Sequence, residues 1–176
     1  GDRLLIGAPG ADGVPGSGDE DGAAYLFDVA SRTLVARLAD TGFGPREDYG
    51  VAVALSSSVA AVGAPNGSLS RSAGIVFFYD ARNGDLLDLY QPSSVDDTDA
   101  FGTSIDIEGD IAVIGASGAD GAQAGTGAAF VVDLSDPTDP QQLSTLAPRD
   151  ARFSDNAGAA VAIDGDLVLV GAPNRG

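Results

Sequence analysis

The sequence predicts an all-β protein made of β-propeller blades, four antiparallel strands to a blade, with a little over three blades present. Three observations predict it. First, Gly-Ala-Pro recurs as Gly7-Ala8-Pro9, Gly63-Ala64-Pro65 and Gly171-Ala172-Pro173, with Gly115-Ala116-Ser117 as a near-copy, at steps of 56, 52 and 56 residues. A fixed period of that size marks a repeat architecture. Second, each copy closes a short apolar run: Leu4-Leu5-Ile6, Val59-Ala60-Ala61-Val62, Ile111-Ala112-Val113-Ile114 and Leu167-Val168-Leu169-Val170. Third, thirteen residues before three of these glycines stands another, Gly50, Gly102 or Gly158, preceded by Tyr49, Phe101 or Ala157.

The elements follow in chain order. Leu4-Leu5-Ile6 reads as the end of a strand buried on both faces, because it is continuously apolar. A Gly/Asp-rich loop over 10–22 leads to Ala23-Ala24-Tyr25-Leu26-Phe27, closed by Asp28. A tight turn near Ser31-Arg32 gives Leu34-Val35-Ala36-Arg37-Leu38, mixed enough for an outer strand, and a polar connection runs over 40–48. The second unit repeats this with strands at 51–55, 59–62, 74–79 and 86–90. Its Ser56-Ser57-Ser58 and Asn83-Gly84 turns differ in kind, the latter predicting a two-residue hairpin in which both positions take positive φ. The third unit has strands at 103–107, 111–114 and 128–132, then a weak one at 143–146 after Pro137 and Pro140. The fourth has two, at 159–163 and 167–170, joined by Asp164-Gly165. Helical periodicity is missing throughout. The expected units are 1–48 (strands 2–4), 49–100, 101–156 and 157–176 (strands 1–2), all within one partial propeller over 1–176. Four-stranded units at this period are the blades of propellers.

Composition narrows the function. Of 176 residues 44% are hydrophobic, enough for a core, and no apolar run approaches the length of a membrane span. The start resembles neither an initiator nor a signal segment, so a processed or excised piece is expected. There are 26 acidic residues against nine Arg, with no Lys or His, for a net charge of −17. That balance disfavours nucleic acid and anionic membranes, and favours cations and basic partners. With no Cys and no His, disulfides, thiolate catalysis and the usual general base and zinc ligands are excluded.

The paired motifs Tyr49-Gly50 with Gly63-Ala64-Pro65, Phe101-Gly102 with Gly115-Ala116-Ser117, and Ala157-Gly158 with Gly171-Ala172-Pro173 resemble the FG-GAP repeat. This is the blade of the integrin α-subunit propeller and of many bacterial surface and secreted proteins. The resemblance covers the whole chain and is supported by Gly10-Ala11-Asp12-Gly13, Gly22-Ala23-Ala24-Tyr25-Leu26-Phe27 and Ile163-Asp164-Gly165-Asp166. It implies a seven-bladed parent propeller, an extracellular or cell-surface location and a role in adhesion or protein interaction. It also implies a scaffold role for the motif residues Gly7, Pro9, Tyr49, Gly50, Gly63, Pro65, Phe101, Gly102, Gly115, Gly158, Gly171 and Pro173. Glycine there lets backbones approach, the aromatic packs between blades, and Pro ends the strand.

One departure from the family matters. Integrin-type blades often carry an Asp-x-Asp-x-Asp-Gly calcium loop between strands 1 and 2. Here that connection is only Ser56-Ser57-Ser58, Glu108-Gly109 or Asp164-Gly165, too short for five or more oxygen ligands. The family's calcium ligands therefore do not carry over, and Asp106, Glu108, Asp110, Asp164 and Asp166 read as turn formers and solvated charges.

Antiparallel order places the short 1–2 and 3–4 turns at one end of each blade and the long 2–3 and 4–1 loops at the other. The long-loop face holds the candidate ligand-binding residues Asp12, Asp19, Glu20, Asp21, Asp48, Asp97, Asp99, Asp120 and Asp150, with Asp40, Glu47, Asp96 and Asp155 beside them. Arg46, Arg71, Arg149 and Arg152 lie among them. No cofactor is required. Ca2+ is conceivable at Asp19-Glu20-Asp21, whose adjacent carboxylates suit a hard ion, and solvated loop charge is the plainer reading of the same run. The expected function is non-catalytic, an interaction module for a protein or glycan partner of basic character. Paired carboxylates leave a secreted glycan or phosphoester hydrolase as the runner-up, and a spacer in a large adhesin as a third reading. Both units 1–48 and 157–176 supply a second strand, so they cannot merge into one blade. Missing blades or a second chain are expected to cover the exposed flanks.

Overall fold

A short strand that is apolar on both faces is stable only if another sheet covers each side. The computed structural model describes residues 2–11, 22–38, 48–67, 73–120, 124–150 and 152–174, and the repeat meets that demand by stacking. Thirteen strands form four antiparallel sheets, with no helix among the described residues. The first blade holds β1 (Arg3–Ala8), β2 (Ala23–Asp28) and β3 (Thr33–Leu38). The second holds β4 (Ala52–Leu55), β5 (Val59–Ala64), β6 (Ile75–Asp80) and β7 (Leu86–Tyr90). The third holds β8 (Phe101–Glu108), β9 (Ile111–Ala116), β10 (Ala128–Asp133) and β11 (Gln141–Leu146). The fourth holds β12 (Ala160–Asp164) and β13 (Leu167–Gly171). Within each blade the strands pair in sequence order. The first strands β4, β8 and β12 lie side by side, as the inner strands of a propeller do. Among the described residues no strand pairing joins the first sheet to the fourth.

The cores sit between blades and follow the two-residue period of the strands. In the second blade, Ala60, Val62, Ile75, Phe77 and Tyr79 face the first blade's Ala24 and Leu38. Their sequence neighbours Val59, Ala61, Val76 and Phe78 face Ile114, Phe130 and Val132 of the third. Being covered on both sides, β5 and β6 are buried along their whole length. Strand β1 corrects its sequence reading: only Leu5 packs into a core, while Leu4 and Ile6 are 48% and 44% exposed. The same side chains would be covered if a blade lay on that side. Leu167 and Leu169 of β13 are exposed for the equivalent reason on the far flank, at 75% and 73%.

The blade-to-blade joint rests on the motif glycines. Gly50, Gly102 and Gly158 each occupy the third position of a β-turn, closed by Val51 N–H to Asp48 O (3.1 Å), Thr103 N–H to Ala100 O (3.2 Å) and Ala159 N–H to Asn156 O (3.2 Å). Their φ angles of 89°, 89° and 85° are the left-handed values that a type II turn needs at that position. The turn directs the carbonyl of Gly50, Gly102 or Gly158 onto the bare Cα of Gly7, Gly63 or Gly115 in the preceding blade, where any Cβ would overlap it. A third series, Gly22, Gly74 and Gly127, lies against the carbonyls of Tyr49, Phe101 and Ala157 in the same way. Backbone hydrogen bonds from Phe101 N–H to Ala73 O (2.8 Å) and Ala157 N–H to Thr126 O (2.9 Å) tie each turn to the blade before it.

The motif aromatics complete the joints. Tyr49 is wholly buried, meets Phe77 edge-on at 5.0 Å and shares a hydrogen bond with the Tyr79 hydroxyl (2.7 Å). Phe101 meets Phe130 edge-on at 5.3 Å and Tyr90 at 5.9 Å. At the other end of each blade, Asp28, Asp80 and Asp133 close the third strand by accepting the N–H of Ser31, Arg82 or Ser135. The Asn83-Gly84 turn differs from its sequence reading. Asp80 N–H reaches Asp85 O (2.8 Å) and Gly84 N–H reaches Asp80 O (2.8 Å), so residues 81–84 form the loop. Of the pair only Gly84 has positive φ.

Two substitutions test the joint. Gly115→Ala drives a Cβ into the Gly158 carbonyl and is expected to cost about 3 kcal/mol in urea unfolding. Gly171→Ala should be close to neutral, since the nearest atom to its added Cβ is Ala160 O at 3.4 Å. Equal losses from both would contradict the carbonyl contact as the constraint. Ala100 holds φ 55° in a conformation that L-residues resist. Ala100→Gly is accordingly expected to raise stability by about 1 kcal/mol in the same measurement.

Candidate functional site

The long-loop face is assembled from the ends of the joints. The 4–1 loop of one blade meets the 2–3 loop of the next. Between the second and third blades, Val95 is buried and pins residues 92–100 to the core. There the Asp96 amide donates to Asp99 Oδ2 (2.9 Å) and the Asp99 amide to Asp96 O (3.1 Å). The Asp99 carbonyl accepts Gly118 N–H (2.9 Å) from the neighbouring 2–3 loop. Between the third and fourth blades the arrangement recurs. Arg152 N–H donates to Asp155 Oδ2 (2.7 Å), Asp155 N–H to Arg152 O (3.2 Å), and Asn174 N–H to Asp155 O (3.4 Å). An aspartate two residues before the motif aromatic, or before its alanine substitute, thus holds two loops together.

This places the sequence-nominated acids in two groups. Asp99 is only 6% exposed and its carboxylate is engaged by its own loop, so it is a structural residue rather than a ligand-facing one. Asp155 is buried in the same way. Asp48, Asp97, Asp120 and Asp150 are exposed, as is Asp96. Of these, Asp48 accepts from the Asn66 side-chain amide (2.5 Å), and Asp120 closes its own loop by accepting Gly125 N–H (2.8 Å). The charges of Asp96 and Asp120 act on Asp99, whereas Asp48 and Asp150 belong to the loops of other joints. Asp12, Asp19, Glu20, Asp21, Asp40 and Glu47 lie outside the described residues, and with them the Asp19-Glu20-Asp21 run considered for Ca2+. Among the described residues no group of three or more acids could hold a metal ion.

The FG-GAP repeat model matches residues 91–132 and 140–176. Those two stretches of the chain carry FG-GAP repeats. No curated protein matches the chain. The first FG-GAP match begins in the 4–1 loop that Asp99 closes and runs through β10. The second takes in β11, the Asp155 loop and both strands of the fourth blade. FG-GAP repeats are typical of extracellular and surface proteins. Among the described residues, no helix is long and apolar enough to cross a membrane.

Sequence reasoning passed over two features of the face. The Gly22, Gly74 and Gly127 series recurs at nearly the blade period and could have been found by extending the repeat search past the two motif glycines. The structural role of Asp99 had a signal too, since Asp155 stands at the same offset before Ala157.

Burial pushes the Asp99 carboxyl above the ordinary value of 3.8, and the Asp120 and Asp96 charges push it the same way, against the lowering from the Asp96 amide. An acid raised on folding stabilises the fold while protonated. That contribution is complete below 3.8 and is lost as pH rises through the folded value. Asp99→Asn keeps an acceptor for the Asp96 amide and removes the charge. Urea unfolding should therefore show the variant more stable than the parent at pH 7, with the difference vanishing as pH falls towards 3.8. A variant less stable than the parent at pH 7 would contradict the burial account.

Proposed function

We propose that this chain is a non-catalytic interaction module of an extracellular or cell-surface protein, part of a larger, seven-bladed FG-GAP propeller. We further propose that its long-loop face engages a protein or glycan partner of basic character. One observation carries the reading: the joints hold irregular loops at one face, and Asp48, Asp96, Asp97, Asp120 and Asp150 are exposed there. Rigid repeats bearing variable loops suit recognition. A surface of one charge sign speeds encounter with a partner of the other sign. The typical location of FG-GAP repeats supports the placement outside the cell. The absence of His and Cys from the sequence removes the commonest nucleophiles and bases, which supports a role without turnover.

Selection of displayed peptides against the immobilised chain tests this. Binders are expected to be rich in Arg and Lys. They should lose about tenfold in affinity against an Asp97→Asn, Asp120→Asn, Asp150→Asn variant, and keep it against Asp110→Asn, Asp139→Asn, Asp166→Asn on the short-turn face. Binders indifferent to the first variant would reject the long-loop face. Turnover of a glycan or phosphoester, abolished by Asp→Ala changes on that face, would establish the hydrolase reading instead. Calcium titration is part of the same test. Heat release or a raised Tm at millimolar Ca2+ would add a cation to the partner list.

A further inference from the structure

Each fourth strand is outermost in its blade and pairs on one side only. The three fourth strands differ in how the open edge is guarded. β3 carries Arg37 and β7 carries Asp88, whereas β11, Gln141-Gln142-Leu143-Ser144-Thr145-Leu146, has no charged residue. The third blade holds all four of its strands, so this edge belongs to the blade itself. Charges and bulges are the usual guards of an open edge. β11 keeps the bulge, at Leu143, since Ser144 pairs with Val131 and Gln142 with Val132. It lacks the charge. Five of its six residues are exposed, Leu143 at 56%.

The sequence around β11 is symmetric about Ser144. Pro140 and Pro148 stand four residues to either side, and Asp139 and Arg149 stand five residues to either side. Asp139 and Arg149 are both exposed. When two identical strands pair antiparallel, a two-fold axis crosses the pair and one residue lies opposite its own copy. With Ser144 on that axis, Leu143 falls opposite Thr145, and Gln142 opposite Leu146. Pro140 falls opposite Pro148, so the ladder ends where neither side has an N–H to donate. Asp139 falls opposite Arg149, and the symmetry makes this pair twice. β7 lacks such a plan, because Asp88 is its middle residue and would face its own copy.

We propose that the outer edge of β11 is a self-association surface, at which a second copy of this chain adds its own β11 antiparallel. Charge selects that occupant. A chain of net charge −17 repels its copies over most of its surface. At β11 the strand is neutral, and its flanking charges attract in the antiparallel arrangement and repel in the parallel one. The two four-stranded sheets then become one, through an isologous interface of the kind that two-fold dimers use. Reversal of strand direction points the two long-loop faces in opposite directions, so both stay open. This surface is separate from the long-loop face and does not depend on what binds there.

Sedimentation equilibrium of the intact chain is expected to show monomers and dimers, with amide exchange in β11 slowing as concentration rises. Ser144→Asp sets two carboxylates against each other on the axis and should weaken the dimer about tenfold or more. Asp139→Arg and Arg149→Asp should each weaken it about tenfold, and the double swap should restore it. Recovery in the double variant also separates the pairing from any effect on folding. A chain that stays monomeric at every concentration overturns the proposal. So does a dimer that tolerates Ser144→Asp, or a double swap that fails to rescue. Protection at β1 or β13 in place of β11 would overturn it as well, because the contact would then lie on a blade flank.

Discussion

The contact on which this architecture depends is a carbonyl oxygen resting on a bare Cα. Gly50, Gly102 and Gly158 turn their carbonyls onto Gly7, Gly63 and Gly115, and no side chain fits between. The separation of thirteen residues from the turn glycine to the next Gly-Ala-Pro glycine then has a geometric cause. One first strand, one short turn and one second strand must return the chain to the same level of the stack. Gly50 N–H to Gly63 O and Gly158 N–H to Gly171 O (both 2.9 Å) mark that return. The alanines around the joints follow from the same closeness, since Ala23, Ala64, Ala116 and Ala128 all lie where backbones approach.

Stacking decides how stable any one blade can be. The second blade is covered on both faces, and its aromatics are shared with each neighbour. The first and fourth blades keep one face in water, where Leu4, Ile6, Leu167 and Leu169 sit. In a repeat of this kind, stability is a sum of blade and joint terms. The net charge of −17 opposes compaction throughout, and the fold places it in different ways. Asp28 and Asp80 cap strand ends, and the hydrogen bonds they accept there, chiefly from Ser31 and Arg82, lower their pKa. Asp99 goes the other way, because burial outweighs its one hydrogen bond.

Much of this was legible in the residues. Thirteen strands in four antiparallel sheets follow from short apolar runs at a constant period, since a period-2 pattern between turn residues has few other solutions. Three features resisted for identifiable reasons. Leu4-Leu5-Ile6 carries the pattern of a strand covered on both sides, but exposure depends on a neighbouring blade and not on the strand itself. The Asn83-Gly84 pair suits a two-residue hairpin, but the strands stop pairing at Asp80 and Asp85, which leaves four residues between them. A register shift recurs between Leu26 and Phe27, between Phe78 and Tyr79 and between Val131 and Val132, so it belongs to the blade's twist rather than to any local residue. Asp99 looks like any loop carboxylate until the neighbouring loop is seen to close over it.

By itself, then, the sequence determined the class of fold, the blade period, the position of every motif glycine and the sign of the surface charge. These are set by residue types acting within one strand or turn, where sterics and periodicity suffice. Tertiary structure alone decided which carboxylates face solvent and which faces of β1 and β13 are covered. Each of those depends on atoms from elsewhere in the chain, brought near by the stacking of blades whose period exceeds fifty residues.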